Sequence, residues 1–440
     1  MIQIAKLTTI ALLASFALAA AADSEGEIWW RGNTHTHSWW SDGDAPPELV
    51  AEWYKQHGYH FLVISDHNVM QRGEKWYPID QPPRRPEAVK RAYERYVDRF
   101  GSIWVTTRES DHGREVRLKT LDEFRPLFEE PNRFLFINGE EITDRHLHHP
   151  VHMNGVNLVE PITPQGGTSV ANTIQNNLDA VVAQSHQHAK PMVLHLNHPN
   201  FHFAVTAEDF FELDHAPGDG FFEMYNGHSG VNNNGDELHP SAERLWDIVL
   251  ANRLGRFNRR LIYGVATDDA HEYNDWGDGF TNPGRGWVMV RAPFLTPDFI
   301  TQAIRRGDFY NSTGVELRKL EISDRSISIE VDEQPGVDYT IEFVGTRSSA
   351  QLTPIAGPFT PDAEPQKPAR PVYRYSEEIG EVLHRVKGTS ASYQATGDEL
   401  YVRARVVSSR YHPNPFAMGD PEMAWTQPIV VEARDAESNP

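Results

Sequence analysis

The chain has 440 residues, of which 39% are hydrophobic and 11% aromatic, and its formal net charge is −21 at pH 7. This length and composition suit a globular protein with one large domain and a smaller one. The acidic balance argues against a protein that grips the backbone of a nucleic acid, which takes clustered Lys and Arg, so we expect no nucleic-acid partner.

The first 22 residues have the features of a secretory signal peptide. Lys6 gives a positive start, the apolar run 10–18 is too short to span a bilayer, and small-residue cleavage options follow at 18–22. We therefore expect a periplasmic or secreted protein with no membrane association after signal cleavage; an N-terminal anchor helix is the alternative. The chain has no cysteine, which excludes disulfides and lipid attachment through cysteine.

Short apolar runs alternate with helical stretches from residue 28 onward. Candidate strands cover residues 28–32, 61–64, 134–137, 151–158, 192–196, 221–225, 261–266 and 287–291. Candidate helices cover residues 46–57, 86–99, 168–185, 241–254 and 296–306, the first opened by Pro46 and Pro47 at the favoured first turn. The alternation predicts an α/β fold with a largely parallel sheet in residues 23–315.

Two regions depart from this alternation. Residues 71–130 form an insertion rich in Arg, Pro and aromatic side chains. A long insertion after a strand end usually lies over the active face, and a solvated loop is the alternative. After about residue 316, alternating segments indicate a smaller β-rich C-terminal domain, 316–440, which contains a proline-rich stretch at 354–371.

Residues of the metal-binding type end several of the apolar runs. The first group is the segment NTHTHSWWSDG at 33–43, where His35 and His37 point the same way in an extended chain and can reach one ion. Asp42, past a short turn, can reach a neighbouring ion. Later runs end at Asp66-His67, Glu140-Glu141, His152, His195 and His198, and Asp269 with His271. This recurrence predicts a metal centre built from several strand ends.

The position of these residues also bears on the architecture. In α/β barrels the carboxyl ends of the strands converge on one face, and that face carries the chemistry. A doubly wound sheet with one crevice brings fewer strand ends together. Many candidate ligands from separate segments therefore favour a barrel over a doubly wound sheet.

The motifs resemble those of the PHP (polymerase and histidinol phosphatase) superfamily, over roughly residues 28–315. They are NTHTHSWWSDG (33–43), ISDHN (64–68), NGEEIT (138–143), VHMNGVNL (151–158), LNHPN (196–200) and TDDAH (267–271). The segments DFYNSTGVEL (308–317) and AWTQP (424–428) look like a subgroup that includes carbaryl-hydrolase-type enzymes. The resemblance implies a distorted PHP barrel of the (β/α)7 type.

Carried over position by position, the resemblance implies nine metal ligands. They are His35, His37, Asp42, His67, Glu141, His152, His198, Asp269 and His271. The register stays open at two places, Glu140 or Glu141 and Asp268 or Asp269. His195 is a spare histidine that could also serve as a ligand.

Imidazole and carboxylate ligands without thiolate suit Zn²⁺, Mn²⁺ or Fe²⁺, so we expect two to three divalent ions. The resemblance implies that Glu141 bridges two of them. His35, His37, Glu141 and Asp269 would hold the first ion; Glu141, His152 and His198 the second; and Asp42, His67 and His271 the third. Three ions would exceed the carboxylates and a bridging hydroxide by about two positive charges, which favours an anionic substrate.

This set of ligands suggests a hydrolase. A water that bridges two ions loses a proton near neutral pH and can attack phosphorus or a carbonyl carbon. Glu141 is the expected bridging residue, and Asp269 or His271 could pass the proton to the leaving group. Outside the metal shell, Arg145, His228, Arg285 and Tyr310 are candidates for substrate contact, while Glu223 and Asn226 are candidate partners of the ligands.

The expected function is a secreted multimetal phosphoesterase acting on a small phosphate ester. Hydrolysis of an aryl carbamate or carboxylic ester is the alternative, because a tetrahedral carbonyl adduct could use the same ions and hydroxide. A non-catalytic binding module is a third possibility, opposed by the complete set of ligands. The sequence leaves the natural substrate, the identity of the metal and the oligomeric state open.

Overall fold

The computed structural model describes residues 28–111, 113–216, 218–359 and 370–431. The predicted signal peptide at 1–22 lies outside these ranges, as does most of the proline-rich stretch. Within the described ranges, no helix combines the length and apolarity needed to cross a membrane.

Five helices of the described residues lie close to the ranges that the sequence predicts, and two short ones, the third and the fifth, were not predicted. In chain order, the helices are α1 Pro47–Gln56, α2 Pro86–Trp104, α3 Leu121–Phe128, α4 Val170–His188, α5 Glu208–Phe211, α6 Ala242–Gly255 and α7 Pro297–Arg306. Their starts follow from local chemistry. Ser169, Ser241 and Thr296 each accept a hydrogen bond from a backbone N–H of the first turn of α4, α6 and α7.

The strands of the first three quarters of the chain include every run expected from the sequence. They are β1 Ile28–Asn33, β2 Phe61–Leu62, β3 Trp76–Pro78, β4 Thr107–Ser110, β5 Gly113–Arg117, β6 Leu135–Phe136, β7 Gly139–His146, β8 His149–Val156, β9 Val193–Leu196, β10 Phe221–Asn226, β11 Tyr263–Thr267, β12 Trp287–Ala292 and β13 Phe309–Ser312. The strands β3, β4, β5, β7 and β13 were not among the predicted runs.

The C-terminal part is built from strands, as predicted. They are β14 Leu317–Ile322, β15 Ser326–Val331, β16 Tyr339–Arg347, β17 Ala356–Phe359, β18 Val372–Arg374, β19 Glu381–Lys387, β20 Ser390–Gln394, β21 Glu399–Tyr411, β22 Pro421–Thr426 and β23 Ile429–Val430. The division of the chain at residue 315 stays a prediction, since β22 pairs with β13 across it.

Two sheets carry the α/β part, and their strand directions correct the expectation of a largely parallel sheet. In the five-stranded sheet β11-β10-β9-β8-β7, β9 to β11 run parallel while β7, β8 and β9 are antiparallel. In the ten-stranded sheet, β1, β2 and β6 are parallel, and β12, β13 and the C-terminal strands add in antiparallel fashion. The short hairpin turn between β7 and β8 accounts for one of these reversals, because adjacent strands joined so tightly must run antiparallel.

Isolated backbone bridges connect the two sheets just beyond their strand ends. One joins Thr36 to Ala270 and the other joins His67 to Glu141, both in parallel orientation. The fold is therefore mixed α/β, with the two sheets in contact where the predicted ligands lie. No closed barrel is found among the described strands, so the barrel form stays a prediction.

The insertion packs against the loop that carries Asp42. Its strands form the sheet β3-β5-β4, and α2 and α3 complete it. Trp39 stacks on Tyr77 with 4.9 Å between ring centroids, and the Trp40 indole donates a hydrogen bond of 3.1 Å to the Lys119 carbonyl. The insertion is therefore a packed unit next to the predicted site and not a solvated loop.

A buried ion-pair group joins the C-terminal strands to α6. The Arg403 guanidinium lies 2.7 Å from an oxygen of Asp247 and 2.8 Å from one of Glu243, and Tyr401 donates a hydrogen bond of 2.8 Å to Asp247. Arg403 is fully buried. Buried charges need such partners, so these contacts hold β21 against the helix.

Candidate metal centre

His35 and His37 follow the end of β1 and face two carboxylates. The side chain of Asn33 accepts a hydrogen bond of 2.9 Å from the amide of His35, which fixes the turn after the strand. The Nε2 atoms of both histidines lie 3.2 Å from Oδ1 of Asp269. Oε2 of Glu141 lies 3.6 Å from Nε2 of His35 and 3.3 Å from that of His37. These four side chains form a compact, buried donor group.

The other carboxylate oxygen of Glu141 faces two more histidines. Oε1 lies 3.2 Å from Nδ1 of His152 on β8 and 3.5 Å from Nε2 of His198, which follows β9. Glu141 thus stands between two donor groups and offers one oxygen to each.

A third donor group surrounds Asp42. Its Oδ1 lies 3.2 Å from Nε2 of His271, 3.5 Å from Nε2 of His67 and 3.6 Å from Nδ1 of His37. His67 also faces the first group, because its Nδ1 is 2.8 Å from Oε2 of Glu141. All nine residues predicted as ligands are therefore brought together.

The donors fit metal ions on structural grounds. Nε2 of His35, Nε2 of His37, Oε2 of Glu141 and Nδ1 of His152 are buried and make no hydrogen bond. Buried polar atoms nearly always have a partner, so four that converge without a hydrogen bond fit the donor set of a cation site. Three overlapping sets have ligand atoms within 4.8 Å of one another: His37, Asp42, His67 and His271; His35, His37 and Glu141; and His67, Glu141 and His152.

The geometry also decides which member of each neighbouring pair faces the donor groups, a register that the sequence leaves open. Glu141 faces the histidines, whereas Glu140 points to the other side of β7 and accepts a hydrogen bond from the Ile162 amide. Asp269 faces His35, while Asp268 accepts a hydrogen bond of 2.7 Å from the Tyr54 hydroxyl.

Two of the candidate ligands have strained backbones. Asp269 has φ of 48° and His198 has φ of 28°, in the left-handed region that non-glycine residues seldom adopt. Such strain tends to persist where the surrounding structure fixes a functional geometry.

Burial and the neighbouring charges shift the pKa values of these ligands in different directions. Burial lowers the pKa of His37 to about 3, helped by the neighbouring His271 and His67, so its ring is neutral and free to bind a metal ion. Burial would raise the pKa of Glu141, but His67, His35 and His152 hold that pKa well below its usual range. Burial would lower the pKa of His35, but Asp269, Glu223 and Glu141 hold it well above the usual value.

Glu223 on β10 orients two of the candidate ligands through hydrogen bonds to His35 and His198. One carboxylate oxygen lies 2.7 Å from Nδ1 of His35 and accepts a hydrogen bond of 2.7 Å from Thr267. The other accepts from the His198 amide at 2.8 Å and from Asn226 at 2.7 Å. Such contacts set which nitrogen of a ligand histidine points at the metal.

Several supporting residues were not anticipated from the sequence. Thr143 lies 2.6 Å from Nδ1 of His67, and Asn197 donates a hydrogen bond of 2.9 Å to Oε1 of Glu141. Asp66 accepts hydrogen bonds from Ser38 and Ser41 and so fixes the loop before Asp42. Asp66 in ISDHN and Asn197 in LNHPN are adjacent in sequence to candidate ligands, and this position could have identified them as supporting residues.

The spare histidine lies behind the donor groups. His195 is buried, its Nε2 is 3.1 Å from the Thr34 hydroxyl, and burial lowers its pKa to about 4. It belongs to none of the three sets of ligand atoms found among the described residues.

Of the four predicted substrate contacts, His228 lies near the donors. The ring of His228 is 5.1 Å from that of His271, and its Nδ1 accepts a hydrogen bond of 2.9 Å from the Gly230 amide. Arg145 is exposed on β7 and lies on the same face of the strand as Glu141.

The other two side chains are buried and contact backbone groups, and their role in substrate contact stays a prediction. The Arg285 guanidinium is buried and donates to the carbonyls of Gly227, at 2.8 Å, and Gly277, at 3.3 Å, so it braces loops. Tyr310 is fully buried, its ring packs on Trp29, and its hydroxyl accepts a hydrogen bond from the Leu317 amide.

No family model and no curated protein match the chain. Several solved structures are similar to it, and these include the following two. One is a two-domain protein of Bacteroides vulgatus that contains a predicted PHP-like metal-dependent phosphoesterase, with 11% identity, 93% of this chain and 97% of that chain covered, and a TM-score of 0.35. The other is a candidate metal-dependent phosphoesterase of Bifidobacterium adolescentis, with 13% identity, 57% and 89% coverage, and a TM-score of 0.25. TM-scores below 0.5 leave the function to be inferred from the residues themselves.

Proposed function

We propose that the chain is a metal-dependent phosphoesterase of the PHP superfamily that hydrolyses a small phosphate ester. The observation that carries this proposal is the convergence of imidazole and carboxylate donors, four of whose buried atoms make no hydrogen bond. Bound divalent ions would supply Lewis acidity and lower the pKa of water near the substrate. The likeness to carbaryl-hydrolase-type proteins stays a prediction.

The chain's own residues divide the remaining work. Glu141 holds two donor groups in register through its two oxygens. Asp269 is oriented by Asn226, whose amide donates to its Oδ2 at 3.1 Å, and His271 borders the group around Asp42. We propose Asp269 or His271 as the residue that passes a proton to the leaving group. In its neutral form His228 carries its proton on Nε2, because Nδ1 accepts the Gly230 amide, and so can donate to a substrate oxygen.

Charge favours a phosphate ester. Three carboxylates, Asp42, Glu141 and Asp269, face the donor groups. Three divalent ions would exceed these carboxylates and a hydroxide by about two positive charges, and a phosphate dianion can neutralise that excess already in the ground state.

An aryl carbamate or carboxylic ester would need an apolar wall beside the metal centre, and the nearby aromatic residues lie in SWWSDG and the insertion. Trp39, Trp40 and Tyr77 are buried in the core, where they hold the insertion to the Asp42 loop. They therefore offer no apolar wall to an aryl substrate.

The test is hydrolysis of a panel of aryl phosphomonoesters, phosphodiesters, carbamates and carboxylic esters by protein reconstituted with Zn²⁺, Mn²⁺ or Fe²⁺. We expect phosphoester cleavage that is lost to chelator and restored by metal. Cleavage of carbamates or carboxylic esters alone would replace the proposal by its alternative. Protein that binds metal but cleaves nothing would point to a binding module.

We further propose that the protein acts in the periplasm or outside the cell, after removal of residues 1–22. The motive is the short apolar run with its cleavage options. Mass spectrometry of exported protein should find a new amino terminus near residue 23, and an intact Met1 would contradict it.

A further inference from the structure

A proline-rich segment of the insertion reaches across to the Asp42 loop. It reads Gln81-Pro82-Pro83-Arg84-Arg85-Pro86 and leads directly into α2. Proline fixes its own φ and restricts the residue before it. The two arginines are therefore carried on a stiff stretch of chain with few alternative conformations.

Arg85 anchors this segment. Its Nε lies 2.7 Å from a carboxylate oxygen of Glu272, and its guanidinium also donates to the Asp42 carbonyl at 3.3 Å. Arg85 adopts a left-handed backbone with φ of 47° at the start of α2. The contacts tie the insertion to both loops that border the third donor group, those of Asp42 and His271.

Arg84 differs from Arg85 because most of its side chain is exposed to solvent. Its guanidinium pairs with Oδ2 of Asp42, while Oδ1 of the same carboxylate faces His271 and His67. The Arg84 side chain is nevertheless 61% exposed, and it makes no other hydrogen bond to the described residues. An ion pair this exposed adds little to stability, so the fold does not need Arg84.

We propose that Arg84 binds the phosphate group of the substrate, and that the substrate is a phosphate monoester. This inference rests on the proposed function and deepens it. Guanidinium presents five N–H donors in a flat fork that matches phosphate, so Arg84 can keep Asp42 and bind an anion at once. One carboxylate separates it from the donor group of His67 and His271, which places a fixed positive charge at the edge of the metal centre.

The number of phosphate oxygens decides the substrate class. The terminal phosphate of a monoester has three non-bridging oxygens, so two can face the metal groups while the third meets Arg84. A diester has only two, and it carries one negative charge where the monoester carries up to two. A cation beyond the metal groups therefore favours the monoester.

The test compares Arg84→Ala and Arg84→Lys with the matched control Arg91→Ala. Arg91 also lies in the insertion, is 46% exposed and pairs with Asp275 at 2.6 Å, but it does not touch Asp42. Three quantities are measured on metal-loaded protein: metal content, calorimetric affinity for inorganic phosphate, and kcat and KM for an aryl phosphomonoester and a bis-aryl phosphodiester.

For Arg84→Ala we expect unchanged metal content and a loss of about tenfold or more in phosphate affinity, the usual scale for one charge-assisted contact. The monoester should show the same loss, mainly in KM, and the diester a smaller one. Arg84→Lys should recover part of the loss, because it keeps the charge without the fork. The Arg91→Ala control should match the wild type.

Three results would overturn the inference while the proposed function stands. They are a loss of metal from Arg84→Ala, phosphate affinity equal to that of the control, and equal losses for monoester and diester. Wild-type protein that binds no phosphate and cleaves no phosphoester would overturn the proposed function, and this inference with it.

Discussion

His67 and Glu141 are joined twice. Their backbones form a parallel bridge between the chain after β2 and β7, and Nδ1 of His67 lies 2.8 Å from Oε2 of Glu141. One bond of this bridge runs from the Asn68 amide to the Glu141 carbonyl, at 2.8 Å. The contact that connects the two sheets is therefore also a contact between two candidate ligands, so the sheets cannot slip in register without disturbing the metal centre.

We expect the protein to bind two to three transition-metal ions per chain. The donors fall into overlapping groups that share His37, His67 and Glu141, which is too many ligands for one ion. Metal analysis after reconstitution measures the number, and treatment with a chelator followed by dialysis provides the metal-free control. One ion or none after reconstitution would contradict the multinuclear centre.

Glu141→Gln should reduce activity and metal content far more than Glu140→Gln. Glu141 presents its two oxygens to two donor groups, whereas Glu140 points away toward the Ile162 amide. Activity and metal content of the two variants are compared at equal folded fraction, judged by circular dichroism. If Glu140→Gln loses metal and Glu141→Gln keeps it, the register of the ligands is wrong by one residue.

Glu140→Gln should also make the protein more stable at alkaline pH. Burial raises the pKa of Glu140 to about 7 from its ordinary value of 4.5, so the folded state holds the proton that the unfolded state has already released. The free energy of unfolding of the wild type should therefore fall as the pH rises from 4.5 to about 7. The fall should be on the order of 2–3 kcal/mol, and the Glu140→Gln variant should lack it.

Denaturant titrations at several pH values on metal-free protein measure this difference. The advantage of Glu140→Gln over the wild type should be near zero below the window and largest above it. A difference between the two proteins that does not change with pH would show that Glu140 is not the titrating group.

Glu223→Gln should weaken metal binding by about 10- to 100-fold, the usual effect of losing a partner that orients a ligand histidine. Glu223 contacts Nδ1 of His35 and the amide of His198, so both donor groups around Glu141 depend on it. Competition with a chelating dye measures the affinity. The control is Glu130→Gln, which removes a surface carboxylate that pairs with Lys55 and Arg133. Equal affinities for both variants would rule out the orienting role.

Arg403→Met should destabilise the protein by about 3–5 kcal/mol, because Asp247 stays buried but loses its main cationic partner. The double variant Arg403→Met with Asp247→Leu should be less destabilised than the sum of the single variants. A denaturant-based double-mutant cycle measures the coupling between the two side chains. Additive effects would mean that the ion pair does not hold β21 to α6.

Much of the fold could be predicted because its strands and helices have clear apolar periodicity. The predicted helix at 86–99 corresponds to Pro86–Trp104, and the predicted strand at 221–225 to Phe221–Asn226. The strand Gly139–His146 was missed because five of its eight residues are charged or histidine: the site, and not a core, occupies one of its faces. The strands Thr107–Ser110 and Gly113–Arg117 were missed because they lack apolar alternation, and they lie in a small sheet near the surface.

The candidate ligands could be placed because imidazole and carboxylate residues recur at strand ends. The substrate contacts could not, since a side chain such as Arg285 or Tyr310 reaches a site only through tertiary packing. Burial of both side chains follows from neighbours distant in sequence, among them Gly227 and Trp29. The approach of Arg84 to Asp42 depends in the same way on how the insertion packs, which no local pattern encodes.

The pairing of β13 with β22 bears on how this protein can be divided. Tyr310, Asn311 and Ser312 are paired with Thr426, Trp425 and Ala424, so one sheet runs from the metal-centre part of the chain into the smaller C-terminal part. A fragment ending at residue 315 would expose β13 as an open edge, which invites aggregation. The C-terminal part is therefore not an interchangeable module. We expect it to be kept or lost together with the metal centre, and we expect circular permutation at a surface loop to succeed where truncation fails.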